Sequence, residues 1–167
     1  MKKIITRRVA ESLPGQVRKK VFLVEDDPVF RVGMVKVINQ ERDLEVCGQA
    51  GDAESAYGEI IRLEPDIVLV DISLPGKSGL ALIKELRKVH RQVKLLAVSI
   101  QDEALYANQV MRAGGDGYIM KQEGPREVVD AVRDVLAGHI YLSEQVMAKQ
   151  EILCKGNQGI GCRPAAG

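Results

Sequence analysis

The sequence predicts an α/β fold: an open, doubly wound, five-stranded parallel sheet, (β/α)5. Three observations lead to it. Five short apolar runs rich in Val, Ile and Leu lack strict alternation, the pattern of strands covered on both faces. Segments of helical period separate these runs. Strand and helix therefore alternate five times from Val21 onward, and parallel strands need such crossovers, which put helices on both faces of the sheet.

The strands are Val21–Val24, Leu44–Cys47, Ile67–Val70, Val93–Val98 and Tyr118–Met120. After the first, Asp27 ahead of Pro28 reads as an N-cap with proline at the first helical position. After the second, Ala53, Ala56, Tyr57, Ile60 and Ile61 repeat at helical spacing behind a cap at Asp52. After the third, Leu80, Ile83 and Leu86 follow the Pro75-Gly76 turn and Ser78. After the fifth, Val128, Val129, Val132, Val135 and Leu136 form an apolar stripe that Gly138 stops.

Composition narrows the function. The chain has 167 residues, 46% apolar and 28% charged, a globular balance that needs no metal or disulfide staple. Its near-neutral total conceals a split. Residues 1–20 carry seven bases against one acid, and residues 21–149 fifteen bases against twenty-one acids. An acidic body argues against direct binding of duplex DNA, which needs a positive footprint. Cys47, Cys154, Cys162, His90 and His139 lack zinc-site spacing, and a secreted disulfide framework is not expected. The basic leader lacks the apolar stretch of a signal peptide, and no apolar run approaches a membrane span. The expectation is a soluble, cytoplasmic protein that does not engage membranes.

Ligands of open α/β sheets sit outside the carboxyl ends of the strands. There the first strand is followed by Glu25-Asp26-Asp27, the third by Asp71, the fourth by Ser99 and the fifth by Lys121. Like charges at ~4 Å repel by about 4 kcal/mol at an effective dielectric of 20, so clustered carboxylates call for a cation. Hard oxygen donors suggest Mg2+. An aspartate beside Mg2+ is suited to accept a phosphoryl group, with the Ser99 hydroxyl and Lys121 ammonium neutralising its remaining oxygens. Two glycine-rich stretches, Ala113–Gly117 and Gly156–Gly161, do not join strand to helix and are not phosphate cradles.

The stretches VFLVEDDPVFRVGM, PDIVLVDISLPGKSGL, VKLLAVS and AGGDGYIMK resemble the four landmarks of the response-regulator receiver domain of two-component signalling. The resemblance covers roughly residues 20–138 and implies the flavodoxin-like strand order 2-1-3-4-5, for which a member of this family is a standard example. It implies that Asp71 is the phosphoacceptor. It also implies that Asp26 binds Mg2+ directly, Glu25 acts through water, and the Ser73 backbone carbonyl completes the metal ligands with Asp71. Ser99 and Lys121 take the hydroxyl and lysine positions, and Tyr118 that of a switch aromatic expected to rotate inward on phosphorylation. Glu25 departs from the commoner aspartate, and Gln122 stands where many receivers carry proline.

The stretch AGHIYLSEQVMA resembles the receiver-to-effector linker of NarL/LuxR-type transcription regulators. That type continues into a helix-turn-helix domain of roughly 60 residues. The 24 residues after Ser143 are rich in Gly and poor in periodicity, so the expectation is a chain without that output domain. The chain is accordingly expected to divide into a basic N-terminal tail (1–19), a receiver (20–138), a linker helix remnant (139–153) and a disordered tail (154–167). The implied partner is a sensor histidine kinase; a homodimer is compatible, and DNA would be reached only through the missing domain. The protein would not be an enzyme beyond Mg2+-dependent self-phosphorylation and autodephosphorylation. One alternative is a receiver-only protein that relays phosphate or regulates a protein partner. A haloacid-dehalogenase-like phosphatase is a poor fit, since that family wants Asp-x-Asp where this chain has Asp71-Ile72-Ser73.

Overall fold

Alternate residues of each strand enter opposite cores, and this pattern organises the protein. A computed structural model describes residues 17–143. Residues 1–16 of the basic leader lie outside the described residues. So do residues 144–167, with most of the expected linker helix and the whole expected tail. The described strands are β1 (Lys19–Val24), β2 (Leu44–Ala50), β3 (Ile67–Val70), β4 (Lys94–Ser99) and β5 (Gly117–Met120). The helices are α1 (Pro28–Asn39), α2 (Ala53–Leu63), α3 (Gly79–Val89), α4 (Glu103–Ala113) and α5 (Pro125–Leu136), with a 3-10 turn over Lys121–Glu123. All strand pairs are parallel and the order is β2-β1-β3-β4-β5, the expected doubly wound sheet.

On one face Phe22, Val24, Val68, Val70, Leu95 and Ala97 pack under α2, α3 and α4. On the other, Val21, Leu23, Ile67, Leu69, Leu96 and Val98 pack under α1 and α5. Burial on both faces is why these strands read as continuous apolar runs. Strand β2 extends three residues past its apolar run. Val21 pairs with Val46 but Phe22 with Gly48, so Cys47 is the extra residue of a bulge that keeps Gly48–Ala50 in register.

Capping follows local chemistry. The side chains of Asp27, Asp52, Ser78 and Asp102 accept backbone N–H groups at the starts of α1 to α4. Gly79 opens α3 where a Cβ would lie 2.0 Å from the Asp71 carbonyl oxygen. No other residue lets α3 pass this close behind the strand end that carries the site.

Candidate functional site at the carboxyl edge of the sheet

Parallel strands that end together bring distant residues together. The Glu25 backbone N–H donates to the Ala50 carbonyl at 3.0 Å and the Asp71 N–H to the Val24 carbonyl at 2.9 Å, continuing the ladder past the strands. This fixes Glu25, 3% exposed, and Asp71, 4% exposed, side by side at the edge. Ser99 ends β4 in full burial, and Lys121 follows β5. Asp26 remains exposed.

Both oxygens of Asp71 are engaged. Oδ1 accepts the Ser99 hydroxyl at 3.1 Å and the Ser73 backbone N–H at 2.8 Å. Oδ2 accepts the Lys121 ammonium at 2.6 Å. The same ammonium lies 2.6 Å from Glu25 Oε2, while Glu25 Oε1 accepts the Asp27 backbone N–H at 3.0 Å. The cation that the crowded carboxylates demand is thus supplied in part by Lys121. It also sits 4.6 Å from the centroid of the Phe30 ring, a cation–π contact.

The electrostatics follow this packing. Burial raises the Glu25 carboxyl above its usual range, and the Lys121 hydrogen bond only partly opposes it. Burial would discharge Lys121, but Asp71 and Glu25 outweigh it and hold the ammonium above its ordinary value.

A cavity of about 450 Å3 opens over these groups, lined among others by Asp26, Asp71, Ser73, Ile100 and Lys121. Glu25, Asp26 and Asp71 each offer a carboxylate oxygen, all within 4.8 Å of one another. An all-oxygen set with open volume beside it fits Mg2+, which prefers few protein ligands and retained water. Across the mouth Gln101 Nε2 donates to Ser73 Oγ at 3.2 Å.

The geometry brings together Glu25, Asp26, Asp71, Ser73, Ser99 and Lys121. Asp27 behaves as the expected cap, its Oδ1 accepting from Val29 and Phe30. Tyr118 is the residue expected to act as the switch aromatic. Its ring is already inward and fully buried, and its hydroxyl donates to the Gln101 carbonyl at 2.8 Å. The physical reason is space: its strand partner is Ala97, and Ala107 of α4 lies in the same core. Burial pushes its phenol up to about 12. Sequence reading missed Phe30, whose position below Lys121 depends on the turn into α1, and the buried Glu103 at the start of α4.

Fold and edge together define a flavodoxin-like α/β protein with a buried aspartate, a hydroxyl, an ammonium and an acidic cluster converging on one cavity. The chain belongs to the family of response regulator receiver domains, whose profile matches residues 21–133. It is 34% identical over 127 residues to the response regulator GacA of Pseudomonas syringae pv. syringae (strain B728a), a match covering 76% of this chain and 59% of the relative. It is 30% identical over 142 residues to the oxygen regulatory protein NreC of Staphylococcus aureus (strain JH9), covering 83% of this chain and 65% of that protein. The chain therefore spans less than two thirds of the length of these relatives. Among solved structures, a LuxR-family two-component response regulator from Aurantimonas sp. SI85-9A1 superposes with a TM-score of 0.75 at 29% identity, covering 84% of this chain and 99% of that one. The isolated receiver domain of RcsB from Salmonella enterica serovar Typhimurium, determined with a phosphomimetic, shares the fold at a TM-score of 0.71 and 20% identity, over 79% of this chain and 98% of that one. These likenesses are to NarL/LuxR-type regulators. Receiver domains are signalling modules rather than classical enzymes, and no helix among the described residues is long and apolar enough to cross a membrane.

Proposed function

We propose that this chain accepts a phosphoryl group on Asp71 from the phosphohistidine of a sensor histidine kinase. The observation that carries the reading is the buried Asp71 carboxylate, held between Ser99 and Lys121 beside Glu25 and Asp26. An Asp71 oxygen attacks phosphorus; the new O–P bond forms as the N–P bond breaks. The bonding pair returns to the imidazole, whose other ring nitrogen takes a proton from solvent so that the ring leaves neutral. Ser99 and Lys121 are placed to hold the charge developing on the phosphoryl oxygens. Asp26, Asp71, Glu25 through water and the Ser73 backbone carbonyl would hold Mg2+, which would supply further neutralisation of that charge. Phosphorylation would replace the single charge of the Asp71 carboxylate with an acyl phosphate of about −2, a net gain of about one negative charge, and so bias the Ser99–Tyr118 region between two states. In a full-length regulator of the NarL/LuxR type this switch would control transcription, an inference supported by the relatives' names and by likeness to a DNA-binding LuxR-family response regulator from Staphylococcus aureus.

Phosphotransfer from a panel of phosphorylated histidine-kinase transmitter domains tests this. Label is expected on the chain with Mg2+ and to be lost with EDTA or in Asp71→Asn. Label that persists in Asp71→Asn would refute the reading.

A further inference from the structure

Among the described residues, one carboxylate outside the cavity is buried without belonging to it. Glu103, the first residue of α4, is 6% exposed. Burying a charge is costly unless it is hydrogen-bonded, and its place in the first turn of a helix offsets only part of that cost. Its partner is the Ser143 backbone N–H, 2.7 Å from Glu103 Oε1 and forty residues away in sequence.

Ser143 belongs to a segment that leaves α5 at Gly138 (φ +95°) and returns along the outer edge of the sheet. Tyr141 bridges Gly117 in parallel register. Its N–H donates to the Asp116 carbonyl at 3.2 Å, and its carbonyl accepts the Tyr118 N–H at 2.8 Å. A Cβ on Gly117 would lie 2.8 Å from the Tyr141 carbonyl oxygen, so the approach requires glycine. Leu142 packs against the core under α2 to α4. Residues 139–143 thus form a strap that covers the open edge of β5.

Tyr118 is held from both sides: its hydroxyl by Gln101 in the β4–α4 loop, its backbone N–H by Tyr141 in the strap. Glu103, at the start of α4 where the loop ends, and Ser143 join that end of the loop to the strap, closing a circuit of hydrogen bonds. The same loop begins at Ser99, whose hydroxyl touches Asp71. The loop cannot shift relative to Asp71 without breaking the Glu103–Ser143 bond or moving the strap. In this structure Ser99 on Asp71, inward Tyr118 and the docked strap occur together.

We infer that Glu103 is a positioning residue that couples docking of the 139–143 strap to the Ser99-on-Asp71 arrangement. The inference rests on the phosphoacceptor reading of Asp71. By linkage, whatever favours Ser99 on the phosphorylated site favours the docked strap, and a loosened strap weakens the site by the same factor.

The test uses the full chain, with beryllofluoride and Mg2+ as the probe, titrated by fluorescence or NMR while amide exchange is followed at Tyr118, Tyr141 and Ser143. Saturating probe is expected to slow exchange at all three amides. Glu103→Ala, and independently Ser143→Pro, which removes the donor, should each weaken beryllofluoride binding about five- to tenfold. Glu103→Gln keeps an acceptor oxygen and should return affinity to within about twofold of wild type. Wild-type affinity in Glu103→Ala or Ser143→Pro, a Gln variant as weak as the Ala variant, or exchange that ignores the probe each overturns the inference. If Glu103→Ala does not fold, Ser143→Pro decides alone. A wild-type chain that never binds the probe instead contradicts the phosphoacceptor reading, and the coupling inference falls with it.

Discussion

The Lys121 ammonium lies 2.6 Å from the Glu25 carboxylate as well as 2.6 Å from Asp71. The lysine therefore does more than await a phosphoryl group. It neutralises two buried carboxylates, and a metal ion drawing on Glu25 or Asp71 would compete with it. The longer glutamate side chain is the one that Lys121 pins at this edge.

Lys121→Met should consequently separate stability from metal binding. Removing one partner of a buried pair costs about 3–5 kcal/mol because the remaining charges are left unpaired. Denaturant unfolding in EDTA is expected to show that loss, and added Mg2+ to recover part of it. The same variant should bind Mg2+ more tightly than wild type, since no ammonium competes. Equal stability in EDTA would mean that Glu25 and Asp71 do not need the lysine.

Two glycines should respond to alanine in opposite directions. Gly79→Ala drives a Cβ into the Asp71 carbonyl and should cost about 1–3 kcal/mol, with impaired phosphorylation. Gly58, inside α2 with no atom near its missing Cβ, should gain about 0.5–1 kcal/mol as alanine. Thermal unfolding of the two variants checks both signs.

The pairing of α5 with the α1–β2 loop predicts an acid dependence. Arg133 grips Asp43 through Nε at 2.9 Å and Nη2 at 2.7 Å, and this holds the Asp43 carboxyl below its usual range. A depressed folded-state value means stability present above the unfolded value and lost as pH falls through the folded one. Asp43→Asn should therefore be less stable than wild type at neutral pH, by about 1 kcal/mol or less because the pair is partly exposed. Unfolding curves should converge below the carboxylate range. A difference that persists there contradicts the assignment.

Much of this was legible in the sequence. The burial of β1, β3 and β4 on both faces wrote itself as unbroken Val/Ile/Leu runs, and Asp27, Asp52 and Ser78 signalled their helices by position. The site was legible because its groups follow strand ends directly. What stayed hidden depends on tertiary proximity. Gly48 and Gln49 look like a break, and only the Cys47 bulge shows that β2 continues. Tyr118 could have stood half-exposed until Ala97 and Ala107 left room for its ring. Glu103 and Ser143 carry no local signal, since neither sequence neighbourhood reveals the other.

Tyr118 supplies an alkaline counterpart. Its phenol is raised to about 12, so its contribution to stability is complete below the ordinary tyrosine value near 10 and falls as pH rises toward 12. Ultraviolet titration should show Tyr118 ionising latest, behind Tyr141, whose phenol burial also raises, and Tyr118→Phe should remove that latest component alone. Loss of an ordinary-range component in Tyr118→Phe would place the ring in solvent.

The claim that Asp71 is the phosphoacceptor is tested most directly by trapping the acyl phosphate. The protein is incubated with acetyl phosphate and Mg2+, reduced with borohydride, which converts phosphoaspartate to homoserine, and mapped by peptide mass spectrometry. Homoserine is predicted at position 71, absent when EDTA replaces Mg2+. Homoserine at Asp26 or Asp27, or unmodified Asp71 under conditions that phosphorylate another receiver domain, would contradict the account.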